Sequence, residues 1–297
     1  MAKILIAGGS GLIGRKLSRL LQENGHEVMW LSRSSRPAAY RSFLWNPANR
    51  EIDPAAIAEA EVVVSLAGSG IADKAWTSAY KDEILRSRLD AAATLIHALQ
   101  HTPHRVRCIV AASAIGIYGN RGEEWLSEDS GAGTGFLSET VMQWEKAYAG
   151  LAIRTVVLRT GIVLAKDGGA LPVMATPLKA GICPVTGSGN QFMSWIHVED
   201  LCRMFRYAME EENLSGIYNA VGPSPLPHRE FMKILRSTIA PRSLMLPVPA
   251  ALLRLLLGEK SALVLDSARV SSGKIQQTGF RFQFTRAEDA LKNIYAS

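Results

Sequence analysis

Three glycines at intervals of three, Gly8, Gly11 and Gly14, follow the apolar run Ile4-Leu5-Ile6-Ala7, and residues 15–22 continue with the periodicity of an amphipathic helix. A strand that gives way to a glycine turn and then to a helix is suited to holding a phosphate. The N–H groups of the turn and the positive end of the helix dipole face the anion, and a side chain there would keep the backbone away from it. The order and spacing are those of a dinucleotide-binding turn. Gly8, Ser10, Gly11, Leu12, Ile13 and Gly14 are therefore expected to form a phosphate cradle.

A second cluster bears on which dinucleotide. Residues 26–31 read as the next strand, and it ends in Ser32-Arg33-Ser34, where an NAD site places a carboxylate for the ribose 2′-hydroxyl. No carboxylate stands there, and Glu27 lies at the strand's start, too early to reach the ribose. The guanidinium of Arg33, with Ser32 beside it and Arg36 assisting, suits a 2′-phosphate, so the expected cofactor is NADP(H).

The elements that must position these groups follow from hydrophobic patterning. Apolar runs at 42–45, 62–66, 108–112 and 155–158 alternate with helical patterns, the longest at 78–100 and 138–149. Such alternation predicts an α/β fold with a Rossmann-type, doubly wound parallel sheet. Around Gly168 the rhythm breaks into Pro- and Gly-rich segments, which predicts a smaller C-terminal lobe on the substrate side. The expected boundaries are 1–168 for the nucleotide-binding domain and 169–297 for the lobe. The lobe includes 246–295, with strands from about 195–222 returning to the main domain.

Composition adds bounds. The chain has 297 residues, 47% of them hydrophobic, enough for one large domain and a lobe. Its 33 basic and 27 acidic residues leave a net charge of +6, scattered without a basic run, so nucleic acid is not an expected partner. Cys108, Cys183 and Cys202 have neither disulfide nor zinc-ligand spacing, and no metal is expected; they read as small core residues in a reducing compartment. The first strand begins too early to leave room for a targeting peptide, and the longest apolar stretch, 248–257, is too short to span a bilayer and carries Arg254. A cytoplasmic protein without a membrane span is expected.

In an open parallel sheet the carboxyl ends of the strands line the ligand crevice. Two such ends carry Leu66-Ala67-Gly68 and Ser113-Ala114-Ile115-Gly116-Ile117-Tyr118-Gly119. Together with the glycine motif and the stretch GSGNQFMSWIHVEDL at 187–201, they resemble the extended short-chain dehydrogenase/reductases, which include sugar-nucleotide epimerases and dehydratases. Ser87-Arg88-Leu89 after a Trp76-containing segment, Trp144-Glu145, SWIH at 194–197 and the run from PVPAALLRLLLGEK to TGFRF resemble, more narrowly, the atypical "epimerase family protein" branch. Members of that branch carry a C-terminal domain of unknown function. The resemblance implies cofactor contacts from Leu66, Ala67, Gly68, Glu83, Arg88 and Val163. It also implies a substrate pocket at Gln191, Met193 and Trp195, and a homodimer through helices 78–100 and 138–149 with Trp144 as its anchor.

The departures from the family pattern concern the chemistry. Extended family enzymes use a Tyr-x-x-x-Lys pair in which the lysine lowers the tyrosine pKa and the tyrosine moves the proton. No tyrosine here has a lysine four residues on, and Leu137 and Val141 stand where the pair belongs. Met193 stands where nucleotide-sugar enzymes place an arginine for the diphosphate, which points to a small apolar or aromatic carbonyl substrate instead. Ser113 matches the family serine that hydrogen-bonds a substrate carbonyl, and Tyr118 is the candidate proton donor. Glu139 and His197 are weaker candidates, as a solvated helix-start glutamate and a structural strand-end histidine. The expected function is an NADP(H)-dependent oxidoreductase or epimerase-like enzyme. The alternative is a catalytically silent NADP(H)-binding sensor or partner-binding module.

Overall fold

The computed structural model describes residues 1–34 and 38–296; Arg36 lies outside the described residues. The first elements are β1 Lys3–Ala7, α1 Leu12–Glu23, β2 Glu27–Ser32, β3 Arg41–Asn46, β4 Glu51–Ile52, α2 Pro54–Glu59, β5 Val62–Ser65, α3 Ser78–His101 and β6 Cys108–Ala114. They are followed by β7 Trp125–Leu126, α4 Phe136–Ala147, β8 Arg154–Thr160, β9 Ile162–Leu164, α5 Ala170–Lys179, β10 Ile182–Thr186, β11 Phe192–Met193, β12 Trp195–His197, α6 Val198–Glu210 and β13 Gly216–Ala220. The chain ends with β14 Leu226–Pro227, α7 His228–Ile239, β15 Leu244–Val248, α8 Ala250–Leu257, α9 Ala262–Leu265, β16 Arg269–Val270, α10 Gly273–Gln277 and α11 Ala287–Ala296.

Eight strands form one sheet in the order β13-β8-β6-β5-β1-β2-β3-β4. β1 pairs in parallel with β2 and β5, β2 with β3, and β5 with β6, while β4 runs antiparallel to β3. The chain is thus an α/β protein of the Rossmann type, as the alternation predicts. Strands covered on both faces need continuous apolar runs, and all four residues of β5 are buried. From β1 the chain builds outward through β2 and β3, then returns to the other side of β1 through β5 and β6. The order reverses between β1 and β5, and the carboxyl ends of these strands are where a doubly wound sheet binds its ligand.

Packing divides the chain into two compact units, the first made of 1–113, 139–158 and 202–218, the second of 114–138, 159–201 and 219–297. The units are interleaved along the chain, and their boundaries fall inside β6, α4, β8, α6 and β13. A parallel sheet causes this, since each strand returns only after a crossover and a sequence boundary cannot follow it. The core of the first unit gathers Leu5, Met29, Val63, Ile109, Leu95 and Trp144. In the same unit, Arg154 reaches the end of α6, where its guanidinium donates to the carbonyls of Ala208, Met209, Glu211 and Leu214.

The second unit packs Leu171, Leu178, Met193, Trp195, Phe231, Leu235 and Leu291. Its organising element is the 187–201 stretch, which fastens the C-terminal segment. Gln191 Nε2 donates to the Val264 carbonyl, Ser194 Oγ donates to the Ala268 carbonyl and accepts from Val270 N–H, and Ser267 Oγ accepts from Phe192 N–H. Fully buried Asp200 accepts the N–H groups of Gln283 and Phe284, both at 2.9 Å, and His197 stacks on Phe284. The three cysteines are buried and form no disulfide. No helix among the described residues is long and apolar enough to cross a membrane.

Two stability predictions follow from the second unit. Asp200→Ala leaves two inward N–H groups without their acceptor and should cost about 2–4 kcal/mol in urea unfolding, with Asp200→Asn costing less because it keeps an acceptor. His228, at the start of α7, is buried, and desolvation pushes its imidazole down to about 4. Its folded pKa lies below the unfolded value of about 6.5, so the fold favours the neutral ring. That preference is fully present above the unfolded pKa and is lost as pH falls through the folded one. Between pH 7 and pH 4 the wild type should therefore lose about 3 kcal/mol more than His228→Gln. Parallel unfolding curves for the two proteins at both pH values would refute this.

Candidate functional site

The turn after β1 packs as tightly as its glycines allow. Gly8 sits at φ +87°, in the left-handed region, and a Cβ on Gly14 would lie 2.3 Å from the Gly8 carbonyl oxygen. The first turn of α1 can therefore rest directly on the turn that precedes it. Gly9 has a role that its position outside the one-in-three pattern did not signal: a Cβ there would lie 2.4 Å from the Trp30 indole, so β2 packs under the turn. Gly11 is exposed and is the N-cap of α1, with no side chain capping the helix. Ser10 is also exposed, its carbonyl accepting from Arg15, and Leu12 and Ile13 are half-buried. An uncapped helix start behind an open glycine offers its amides to an anion.

At the end of β2, Ser32 Oγ accepts from Ser34 N–H and donates to the Ser34 carbonyl, and Arg33 is exposed. Across from it, Glu83 pairs with Lys74 at 3.2 Å. Its carboxyl is held below the usual range first by the hydrogen bond from Lys74, then by one from Ser69, with a smaller contribution from the charge of Arg33. Arg33 and Lys74 thus lie around one carboxylate near the loop after β5. In that loop Leu66 and Ala67 are half-buried and Gly68 is exposed.

The Ser87-Arg88 pair on α3 clamps the same loop. Ser87 Oγ accepts from Ser69 N–H at 2.9 Å, and Arg88 Nη1 donates to the carbonyls of Ser69 and Ile84 at 3.1 and 2.8 Å. The Arg88 guanidinium also lies over the Trp144 ring at 5.2 Å, and burial pushes its pKa down to about 10. This is a desolvated cation whose hydrogen bonds run to neutral carbonyls, an arrangement that favours an added anion. Trp144, the expected dimer anchor, is 6% exposed and packs in the first unit's core.

The third component is on β6. Parallel register sets Ser65 of β5 beside Ala111, so Ser113 stands level with Ala67 at the carboxyl edge of the sheet. Ser113 Oγ donates to Glu145 Oε1 of α4 at 2.6 Å, a short charge-assisted bond. Glu145 was legible only as a landmark of the family motif, since a helix-face glutamate has no distinctive spacing. Val141, at the expected lysine position, is buried, and Leu137, at the expected tyrosine position, is half-buried. Glu139 is exposed in the first turn of α4, as a solvated helix-start residue would be. Tyr148, three residues beyond Glu145, donates to Ser65 Oγ, and burial pushes it up to about 12, so it does not replace the absent tyrosine.

Several expected site residues take structural positions in the second unit. Tyr118 is fully buried, its hydroxyl donating to Asn219 Oδ1 at 2.7 Å and accepting from Arg159 at 3.0 Å. Burial raises its pKa. The expected proton donor is thus a phenol without solvent access, with both hydrogen bonds made inside its own unit. The expected substrate-pocket residues are buried as well. Trp195 is 0% exposed with its N–H donating to the Ser224 carbonyl, Met193 belongs to the core, and the Gln191 amide is bonded to Thr186 and Val264. Val163 is half-buried on β9 opposite Ile196. His197 accepts from Glu199 N–H, consistent with a structural role.

Comparison with known proteins agrees with this geometry. Residues 4–220 match the NAD-dependent epimerase/dehydratase family, and residues 248–294 match a domain of unknown function, DUF1731. Epimerase family protein SDR39U1 of Mus musculus is 32% identical over 99% of this chain and 100% of its own. Epimerase family protein YfhF of Bacillus subtilis is 35% identical over 99% of this chain and 98% of its own. The crystal structure of human epimerase family protein SDR39U1 (isoform 2) with NADPH superposes with a TM-score of 0.90 at 30% identity, covering 99% of both chains. With a family model spanning most of its length and full-length relatives above 30% identity, the chain belongs to the NAD-dependent epimerase/dehydratase family.

Proposed function

We propose that this protein binds NADP(H) and acts as an oxidoreductase or epimerase-like enzyme on a small carbonyl compound, with Ser113 and Glu145 handling the proton. The carrying observation is the 2.6 Å Ser113–Glu145 hydrogen bond at the same sheet edge as the glycine cradle. The residues present fit the cofactor. The uncapped start of α1 and the desolvated Arg88 both favour an anion, as a dinucleotide diphosphate is, and Arg33 stands where a 2′-phosphate would be read. A relative solved with NADPH supports the choice of nucleotide.

Bound, the nicotinamide supplies or accepts hydride. The chain's own part is to hold the substrate oxygen and move its proton. With the Ser113 hydroxyl donating to Glu145, the serine oxygen keeps a lone pair for the proton of a substrate alcohol, while its own proton passes to the carboxylate. In the reverse direction protonated Glu145 returns a proton to Ser113 as the serine gives one to the developing alkoxide. The apolar or aromatic preference expected of the substrate rested on Met193 and Trp195; both are core residues, so the proposal retains the carbonyl without its substituents. A second reading, a silent NADP(H)-binding sensor, draws support from the absence of any Tyr-x-x-x-Lys pair and from the burial of Tyr118 and Tyr148.

The two readings separate in a screen of aldehydes, ketones and quinones with NADPH. Consumption that falls at least about tenfold in Ser113→Ala and Glu145→Gln, with NADPH affinity unchanged and the pH profile altered in Glu145→Gln, is the expected result. No consumption across the panel would leave the sensor reading. Cofactor choice is tested by titration. A hydrogen bond to a charged group contributes about 1.5–3 kcal/mol, so NADPH should bind about ten- to a hundredfold tighter than NADH. Arg33→Ala should remove most of that difference, whereas Arg88→Met should weaken both nucleotides alike. Equal affinities in the wild type would exclude Arg33 as the 2′-phosphate ligand.

A further inference from the structure

In the second unit one arginine is held by aromatic rings and by no acceptor. β16 pairs in parallel with β7, which sets Arg269 beside Trp125, and on the other side of β16 the Ala268 N–H donates to the Phe192 carbonyl. The Arg269 guanidinium carbon lies 4.2 Å from the centre of the Trp125 ring and 4.6 Å from that of Phe192. Trp125, Phe192 and Arg269 all belong to the second unit. The rings attract the cation to their electron-rich faces, and its in-plane N–H groups are left for other partners.

Among the described residues those N–H groups meet no acceptor. Nε is buried without a hydrogen bond, while the terminal nitrogens are not buried. The Nε atoms of Arg206 and Arg236 are buried in the same way, but Arg206 reaches Asn24 and Glu210, and Arg236 donates to the Pro241 carbonyl. Arg269 makes no side-chain hydrogen bond or ion pair of this kind. Two carboxylates close by in sequence are engaged elsewhere. Glu124 receives two hydrogen bonds from Arg121, at 2.8 and 2.7 Å, and Asp266 feels the charge of Arg254. The fold therefore fixes a positive charge between two rings and does not neutralise it.

We propose that Arg269 is an oxyanion-binding site, whose two terminal nitrogens donate parallel hydrogen bonds to a carboxylate or phosphate group of a small ligand, with Trp125 contacting the rest of that ligand. The planar guanidinium fork matches the two oxygens of such a group, and a bidentate pair is among the stronger polar contacts available to a protein. An ordinary surface arginine must give up rotamer freedom to form it. Here the two rings have already fixed the side chain, so less is lost on binding. Trp125 is 53% exposed, which leaves indole surface beside the fork for an apolar part of the ligand. The site uses neither Arg33 nor Arg88 and does not rest on the proposed NADP(H) chemistry.

Fluorescence titration of the full chain at constant ionic strength tests this, with sodium phosphate and sodium acetate as probes and chloride as the balancing salt. At least one probe should change the tryptophan emission saturably, with a midpoint of roughly 1–10 mM, the strength that a pair of charge-assisted hydrogen bonds supplies in water. Saturation by phosphate alone would assign the site to phosphate-bearing ligands, and by acetate alone to carboxylates. The change should persist in Arg33→Ala/Arg88→Met, which lacks the cofactor-side cations, and vanish in Arg269→Met, whose unbranched side chain still fills the space between the rings. Arg269→Lys keeps the charge without the fork and should weaken binding at least about fivefold. No saturable change in the wild type, an unchanged midpoint in Arg269→Met, or loss of the change in Arg33→Ala/Arg88→Met would overturn the proposal. If circular dichroism shows that Arg269→Met does not fold, Arg269→Lys decides, and an unchanged midpoint there would equally overturn it.

Discussion

The close approach of α1 to the turn after β1 is the constraint on which the site depends. Gly14 leaves no room for a side chain against the Gly8 carbonyl, and Gly9 leaves none against Trp30, so helix, turn and second strand meet backbone to backbone. That contact points the first amides of α1 past the carboxyl end of β1, where the strand order reverses. A methyl group at Gly14 would push the helix away, and the positive end of its dipole would move with it. The shape of the glycine turn is thus a consequence of packing, with no charged side chain needed to form it.

A second layer of order comes from α3. Its early turns hold the loop after β5 through Ser87 and Arg88, and the same arginine lies over Trp144 of α4. One cation therefore links the β5 loop to the helix that carries Glu145. Desolvation lowers its pKa and makes it a better partner for an anion than a solvated arginine would be, because water no longer competes. The serine–glutamate pair lies at the same edge of the sheet, in a region where the family's usual tyrosine and lysine positions are occupied by Leu137 and Val141.

In the second unit the 187–201 stretch serves to hold the chain's own C-terminal segment. Ser194, Gln191 and Asp200 meet backbone groups of that segment, and Trp195 fills the core beneath. The matched C-terminal domain is therefore integral to the fold of this unit, and α8 within it has no buried residue.

The sequence by itself determined six of the sheet's eight strands, the α/β class, the glycine turn and the position of Arg33, because these depend on local periodicity and on steric demands within a few residues. Strand bounds such as 108–114 against an expected 108–112 differ only where a strand end is set by its neighbours. Tertiary structure decided the rest. Glu145 became a partner of Ser113 through a contact 32 residues apart in sequence, and Tyr118 was withdrawn by Arg159 and Asn219, up to 101 residues away. Met193 and Trp195 read equally well as pocket or core. Burial is a property of what packs on top of a residue, and no spacing within the chain encodes it.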